Sequence, residues 1–156
     1  EKEENTSGAD RDMIVPIVLA CMNMSKRKVG ALIVIERTIP LDDVSDTGDK
    51  IDANINQRLI ENIFFKNSPL HDGAMIISKH RIKSAGCILP VSHSLDIPKE
   101  LGLRHRAAMG MSQDSDAVVI VVSEETGGIT VAIKGQFQLR LSAEKLESVL
   151  TEELKN

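Results

Sequence analysis

An α/β domain built on a mixed sheet is predicted by the order of the apolar segments. Helical and strand patterns alternate along most of the chain, and a hairpin pattern then appears around Gly135. A pure doubly wound sheet would lack that hairpin. The 156 residues suit one domain, and a domain of this size buries a core without disulfides or a structural metal. The expected architecture is therefore a single domain with a central mixed β-sheet flanked by helices.

Each element has its own signal. Residues 1–10 are polar and read as a leader or linker, with the domain occupying 11–156. Ile14, Ile17, Val18 and Cys21 recur at helical spacing and predict a helix over 11–25. Asp10 or Asp12 is the expected cap, and Pro16 points to a late start. Residues 30–36 form a short apolar run bounded by Gly30, as a buried strand does. Residues 37–50 contain Pro40, Gly48 and four Asp and predict a loop with room for one helical turn. Leu59, Ile60 and Ile63 suggest a helix over 55–64. Residues 74–78 and 82–89 read as two strands joined by the charged turn Lys79–Arg81. A helix is expected over 104–112, after Gly102. Residues 117–122 give the strongest strand signal in the chain, a run of Val and Ile. Residues 129–134 and 137–141 form the hairpin. Ser142 can cap a last helix with Leu146, Val149, Leu150 and Leu154 on one face.

Composition excludes several functions. Hydrophobic residues make up 42% and charged residues 27%, ordinary for a soluble domain. There are three Phe, no Tyr and no Trp, so the core rests on aliphatic side chains and Met. That poverty argues against an aromatic platform for single-stranded nucleic acid. The net charge of −4 disfavours a broad phosphate-backbone surface, though not a local basic pocket for one nucleotide. Cys21 and Cys87 lie far apart in apolar stretches, with no Cys-x-x-Cys spacing, and are expected as buried free thiols in a reducing compartment. No apolar run reaches the length of a membrane span, and no signal peptide is visible. The chain opens on Glu1 rather than Met, so a processed or excised piece is expected.

Three segments carry residues suited to chemistry. In Pro69–Ala74, a carboxylate and an imidazole precede a strand beside two small residues. Asp72 could hold a hard divalent cation or orient a hydroxyl, and His71 could be a second ligand, better suited to Mn²⁺ than to Ca²⁺. Gly73 and Ala74 would let a nucleotide approach the backbone. The competing reading is a plain Asp-Gly turn with a surface His. In Gly102–Ala108, two Arg and a His flank a helix start. Cations there oppose the helix dipole unless an anion is bound, and Arg clamps phosphate oxygens. A solvated basic cluster is the alternative. In Val122–Gly128, Ser123, Glu124 and Glu125 could meet phosphate, metal or ribose, or form only a polar turn. His80 and His93 have no partner at ligand spacing and read as surface residues. Ser92 and Ser94 beside His93 carry no nucleophile-elbow or oxyanion signature. Neither a Walker-type phosphate loop nor the dinucleotide glycine fingerprint is present.

Taken together and in this order, the three segments resemble the diadenylate cyclase (DAC) domain family. Asp72-Gly73-Ala74 matches its Asp-Gly-Ala motif and Arg104-His105-Arg106 its Arg-His-Arg motif. Residues 30–37, 69–71, 85–90 and 123–127 agree as well, so the resemblance spans roughly 11–142. The wording is most similar to the membrane-anchored subtype, whose cyclase domain follows a short bundle of transmembrane helices. Two positions depart: Leu103 stands where the family often has Thr, and Ile88 where some relatives carry Tyr.

The resemblance implies condensation of two ATP into cyclic di-AMP and two pyrophosphates, at a face-to-face homodimer and with a divalent metal (Mn²⁺, Mg²⁺ or Co²⁺). It implies that Asp72 orients or helps deprotonate the 3′-hydroxyl, with Gly73 and Ala74 on the ribose side. His71 and Glu125 become the metal ligands. Arg104, His105 and Arg106 would contact phosphates, helped by Ser123, Glu124 and the Leu103 backbone N–H. Ile88 and Leu89 would line an aliphatic adenine pocket. It further implies a cytoplasmic domain anchored to the plasma membrane by a preceding segment. A membrane regulator and phosphoglucosamine mutase are the partners it suggests. The rival expectations are a non-catalytic module that senses ATP or cyclic di-AMP, and an interaction domain whose charged motifs are solvated loops.

Overall fold

The computed structural model describes residues 8–92, 97–99 and 101–155. His93, Ser94 and residues 1–7 of the expected leader lie outside the described residues. The element order is α1 (Gly8–Arg27), β1 (Ala31–Ile35), α2 (Asp42–Ser45), β2 (Asp49–Asn54), α3 (Gln57–Phe64), β3 (Ala74–Ser78), β4 (Arg81–Cys87), α4 (Leu103–Asp114), β5 (Val118–Val122), β6 (Ile129–Ile133), β7 (Gln136–Gln138) and α5 (Ala143–Glu153). The strands form one sheet in the order β2-β4-β3-β1-β5-β6-β7. β1 and β3 run parallel, and the other pairings are antiparallel. The mixed sheet expected from the sequence is the observed one.

β1 and β5 are apolar at every position, and β3 at all but its final Ser78, because both faces are covered. Ala31, Ile33 and Ile35 of β1 join Val118, Ile120 and Val122 of β5 in a core beneath α1, α3 and α5. Leu32 and Val34 alternate with them and pack with Val119 and Val121 against Ala107, Ala108 and Met111 of α4. Two helical layers thus sandwich the sheet. Phe64 is the largest side chain of the first layer and is 1% exposed.

Four expectations are corrected. α1 spans Gly8–Arg27, so Asp10 and Asp12 lie inside the helix rather than at its cap. Pro16 marks no late start: α1 runs through it, giving up only the hydrogen bond to the carbonyl four residues earlier. Burial of Met13, Ile14, Ile17, Val18, Cys21 and Met24 offsets that loss. β2 was hidden because it is a polar edge strand, paired on one side to β4, irregular between Lys50 and Ala53, with Asp52 at φ 54°. Finally, β7 stops at Gln138, and Leu139 and Arg140 turn out of the sheet. The single helical turn anticipated in 37–50 is α2. Ser142 caps α5 as expected, its Oγ accepting from the Lys145 N–H at 3.1 Å. His80 is exposed, as expected of a surface residue, and its Nε2 lies 2.8 Å from Asp10 Oδ1.

Phe64→Ala should destabilise the fold by about 3–5 kcal/mol through loss of buried area and the cavity left behind. Phe65→Ala, its neighbour at 56% exposure, should change stability by less than about 0.5 kcal/mol. Urea denaturation of the two variants checks the contrast, and equal losses would contradict the layer assignment.

Candidate active site

One end of the sheet is open. The N-terminal ends of β1 and β3 meet the C-terminal end of antiparallel β5 there, and α4 starts beside them. A cleft of about 630 Å³ occupies this end. It gathers Asp72, Leu103, Arg104, His105, Ser123, Glu124 and Glu125 from the three segments singled out in the sequence. His71, Gly73, Ala74, Ile88, Leu89 and Arg106 do not line it.

The acidic loop after β5 is held rigidly. The Ser123 N–H donates to the Gly128 carbonyl at 3.0 Å, and the Gly127 N–H donates back to the Ser123 carbonyl at 2.9 Å. Ser123 Oγ accepts from the Glu125 and Thr126 N–H groups, both at 3.2 Å, which leaves its own proton to donate. Gly127 is needed at φ 78°, where a Cβ would stand 2.4 Å from the Ser25 carbonyl oxygen. Ser25 Oγ donates to the Gly127 carbonyl at 2.6 Å, tying the loop to the last turns of α1.

Arg104 crosses from the first turn of α4 to this loop. Its Nη1 lies 2.7 Å from Glu124 Oε1, and its side chain is only 21% exposed. The Arg104 hydrogen bond, then its charge, holds the Glu124 carboxyl below the usual carboxylate range. α4 begins after Gly102, with no side-chain cap, so its first N–H groups are open to an anion. His105 is different. It is 6% exposed, and its ring meets Phe137 edge-on at 6.2 Å and 89°. Burial first, and the Arg104 charge second, lower its pKa below the ordinary histidine value, so the ring is favoured neutral.

His71 Nδ1 lies 2.8 Å from the Ser68 carbonyl. A carbonyl only accepts, so Nδ1 carries a proton, and Nε2 lies 3.1 Å from Asp72 Oδ1. The Nδ1 bond fixes the orientation of the imidazole, as outer partners do for histidine ligands in metal sites. Among the described residues no group of three His, Cys, Asp or Glu side chains is gathered.

The smallness of Gly73 and Ala74 has a packing cause. A Cβ on Gly73 would lie 2.4 Å from Gly86 Cα, so β4 already occupies the close approach that glycine permits. Ala74 is fully buried. Ile88 is 72% exposed, whereas Leu89 belongs to the core under α4. Sequence reasoning missed Leu139, Arg140 and Thr130 as cleft residues. Arg140 sits at φ 56° just beyond β7, and no spacing in the sequence marks a left-handed arginine.

Residues 18–137 match the DAC family model, described as DisA bacterial checkpoint controller nucleotide-binding. The chain belongs to this family. It is 45% identical over 147 residues to the cyclic di-AMP synthase CdaA of Bacillus subtilis, covering 94% of this chain and 54% of that one. It is 46% identical over 142 residues to a diadenylate cyclase of Listeria monocytogenes, covering 91% and 52%. A double mutant of DacA from Staphylococcus aureus superposes with a TM-score of 0.91 at 45% identity, over 94% of this chain and 98% of that chain. A hypothetical membrane spanning protein from Bacillus cereus gives 0.79 at 43% identity, over 82% and 63%. The chain spans about half the length of the curated relatives it matches.

Because the Glu124 pKa is lowered, the ion pair with Arg104 is present at neutral pH and is lost as pH falls through that depressed value. A side-chain carboxyl NMR titration should place the Glu124 midpoint below that of the Arg104→Ala variant. Gly73→Ala should cost about 1–3 kcal/mol of stability through overpacking against Gly86. Its thermal denaturation will then separate a packing loss from a purely catalytic one.

Proposed function

We propose that this chain is a diadenylate cyclase catalytic domain that joins two ATP molecules into cyclic di-AMP. The observation that carries the reading is the convergence of Asp72, Arg104, Ser123, Glu124 and Glu125 on one open cleft, in a chain of the DAC family. Each 3′-hydroxyl attacks the α-phosphorus of the other ATP, the bond to the bridging oxygen breaks, and pyrophosphate leaves. Two such steps close the ring, and each hydroxyl proton passes to a base or to solvent.

Asp72 is the base or orienting group for the hydroxyl. It is 85% exposed at the cleft mouth, where a second nucleotide can be presented. Arg104 and the open N–H groups of α4 hold phosphate oxygens, and the free Ser123 proton adds a donor. Arg106 and the neutral His105 support the same phosphates, and the Leu103 backbone N–H stands in for the hydroxyl of the usual Thr. Gly73 and Ala74 fix the floor on the ribose side, and the exposed Ile88 covers the adenine, while Leu89 is held in the core under α4. His71, with Glu125, would hold the divalent metal, which supplies charge neutralisation on the phosphoryl oxygens. Catalysis is otherwise positioning and electrostatics.

One cleft holds one ATP, and the product is two-fold symmetric, so two chains face each other through the same surface. Leu103, 75% exposed at the cleft, gives that surface an apolar contact. Relatives roughly twice as long, and the likeness to a membrane spanning protein, support a domain tethered to a membrane through a further segment. Among the described residues no helix is long and apolar enough to cross a membrane.

Purified chain with ATP and Mn²⁺ or Mg²⁺, analysed by chromatography, should yield cyclic di-AMP and pyrophosphate. ATP bound without turnover would instead leave a sensor. Asp72→Asn should abolish product while ATP binding survives, and near-normal turnover would remove Asp72 from its role. Arg104→Ala should weaken ATP binding by about 1.5–3 kcal/mol.

His71→Ala should raise the Mn²⁺ concentration needed for half-maximal activity. Specific activity should also rise with enzyme concentration in the dilute range. Strict proportionality under dilution to demonstrated monomer would sink the face-to-face arrangement.

A further inference from the structure

Gly30 sits in the short connection between α1 and β1. α1 closes with Lys28 at φ 54° and a bond from the Val29 N–H to the Met24 carbonyl at 2.9 Å. Gly30 then lies one residue before the Ala31–Val122 pair of β1 and β5, level with the start of the acidic loop. It is buried, and its backbone is not left-handed, so chain conformation gives no reason for a glycine. The reason lies across the cleft. A Cβ built on Gly30 would stand 2.5 Å from Arg104 Nη1, 2.6 Å from Cζ and 2.9 Å from Nη2, with no other group nearer. By contrast, a Cβ on Gly102, the residue before α4, meets nothing within 4 Å. The guanidinium therefore lies flat on bare backbone at Gly30, and from that seat Nη1 reaches Glu124 Oε1 at 2.7 Å.

We propose that Gly30 is a positioning residue for Arg104, a seat whose missing side chain sets where the phosphate-binding guanidinium lies. The inference deepens the cyclase reading and rests on it for the ligand, ATP, though not for the seat itself. The atoms in the way of a methyl group are the far end of a flexible side chain. Gly30→Ala is therefore relieved by moving the Arg104 head and not by moving the strand. That separates this glycine from Gly73, whose neighbour is fixed backbone. The displaced head loses its bond to Glu124 and its aim at the phosphates, while the fold stays intact.

The test uses four chains: wild type, Gly30→Ala, Arg104→Ala and the double variant. Each is measured for melting temperature, for the Glu124 carboxyl titration by NMR, and for binding of 3′-deoxy-ATP, which lacks the attacking hydroxyl. Gly30→Ala should keep the melting temperature and return the Glu124 midpoint toward the ordinary range. It should raise the Kd for 3′-deoxy-ATP roughly tenfold, the loss of one charged hydrogen bond. In the Arg104→Ala background the same change should have no further effect on either readout. Unchanged Glu124 titration and Kd in Gly30→Ala overturn the proposal, as do additive losses in the double variant. A large drop in melting temperature overturns it too, because the glycine would then serve packing. If wild type fails to bind 3′-deoxy-ATP while the Glu124 midpoint still moves, the seat stands and the nucleotide reading falls.

Discussion

β1, β3 and β5 are shielded from water on both faces, so the hydrogen bonds between them form where an unpaired backbone group would be costly. Register is fixed by that requirement together with the two-sided apolar alternation. A slip of one residue would leave backbone groups unpaired and mismatch side chains between the two cores. The site inherits this rigidity. Asp72 leads into β3, the acidic loop leaves β5, and Gly30 precedes β1, so strands fixed against one another bring these residues to one end of the sheet. Nothing in the cleft needs to be stable by itself. Arg104 is the exception that spans two layers, and it is held by an ion pair on one side and bare backbone on the other.

The apolar elements were legible because burial writes them directly into composition. Runs such as Val118–Val122 have no polar interruption, and the spacing of Ile14, Ile17, Val18 and Cys21 repeats at the helical period. β2 was not legible for the opposite reason. Its partner touches one edge, its side chains alternate between exposed and half-buried, and its residues, Asp49–Asn54, include Lys and Asp. A single sequence cannot separate such a strand from a loop, because what makes it a strand lies in β4. The hairpin strand β7 was legible, and only its end was not, because where it stops depends on its pairing with β6.

The site was legible in part. Motif residues with charge, Asp72, Arg104 and the two glutamates, converge as the order of motifs suggested. The small residues carry a second constraint that was not legible: a Cβ on Gly73 would meet Gly86, a contact between residues thirteen apart through a hairpin no local pattern describes. Gly30 was read as a strand boundary and as part of the family-like stretch 30–37, and the neighbour that explains it is seventy-four positions away. Cleft residues such as Leu139 and Arg140 are set by where β7 ends, a matter of tertiary pairing. Charge carries chemical meaning in isolation, whereas the absence of a side chain acquires meaning only from what fills the space.

The two thiols are buried, and neither is in a disulfide. Burial pushes the Cys21 thiol up to about 12 and raises that of Cys87 as well, against hydrogen bonds that pull the other way. Neither sulfur presents a thiolate to solvent at neutral pH. For anyone wishing to follow the cleft spectroscopically, the wild-type background is therefore already silent toward maleimides. A single cysteine introduced on the exposed acidic loop would take up label alone, without first deleting core residues that the sheet needs.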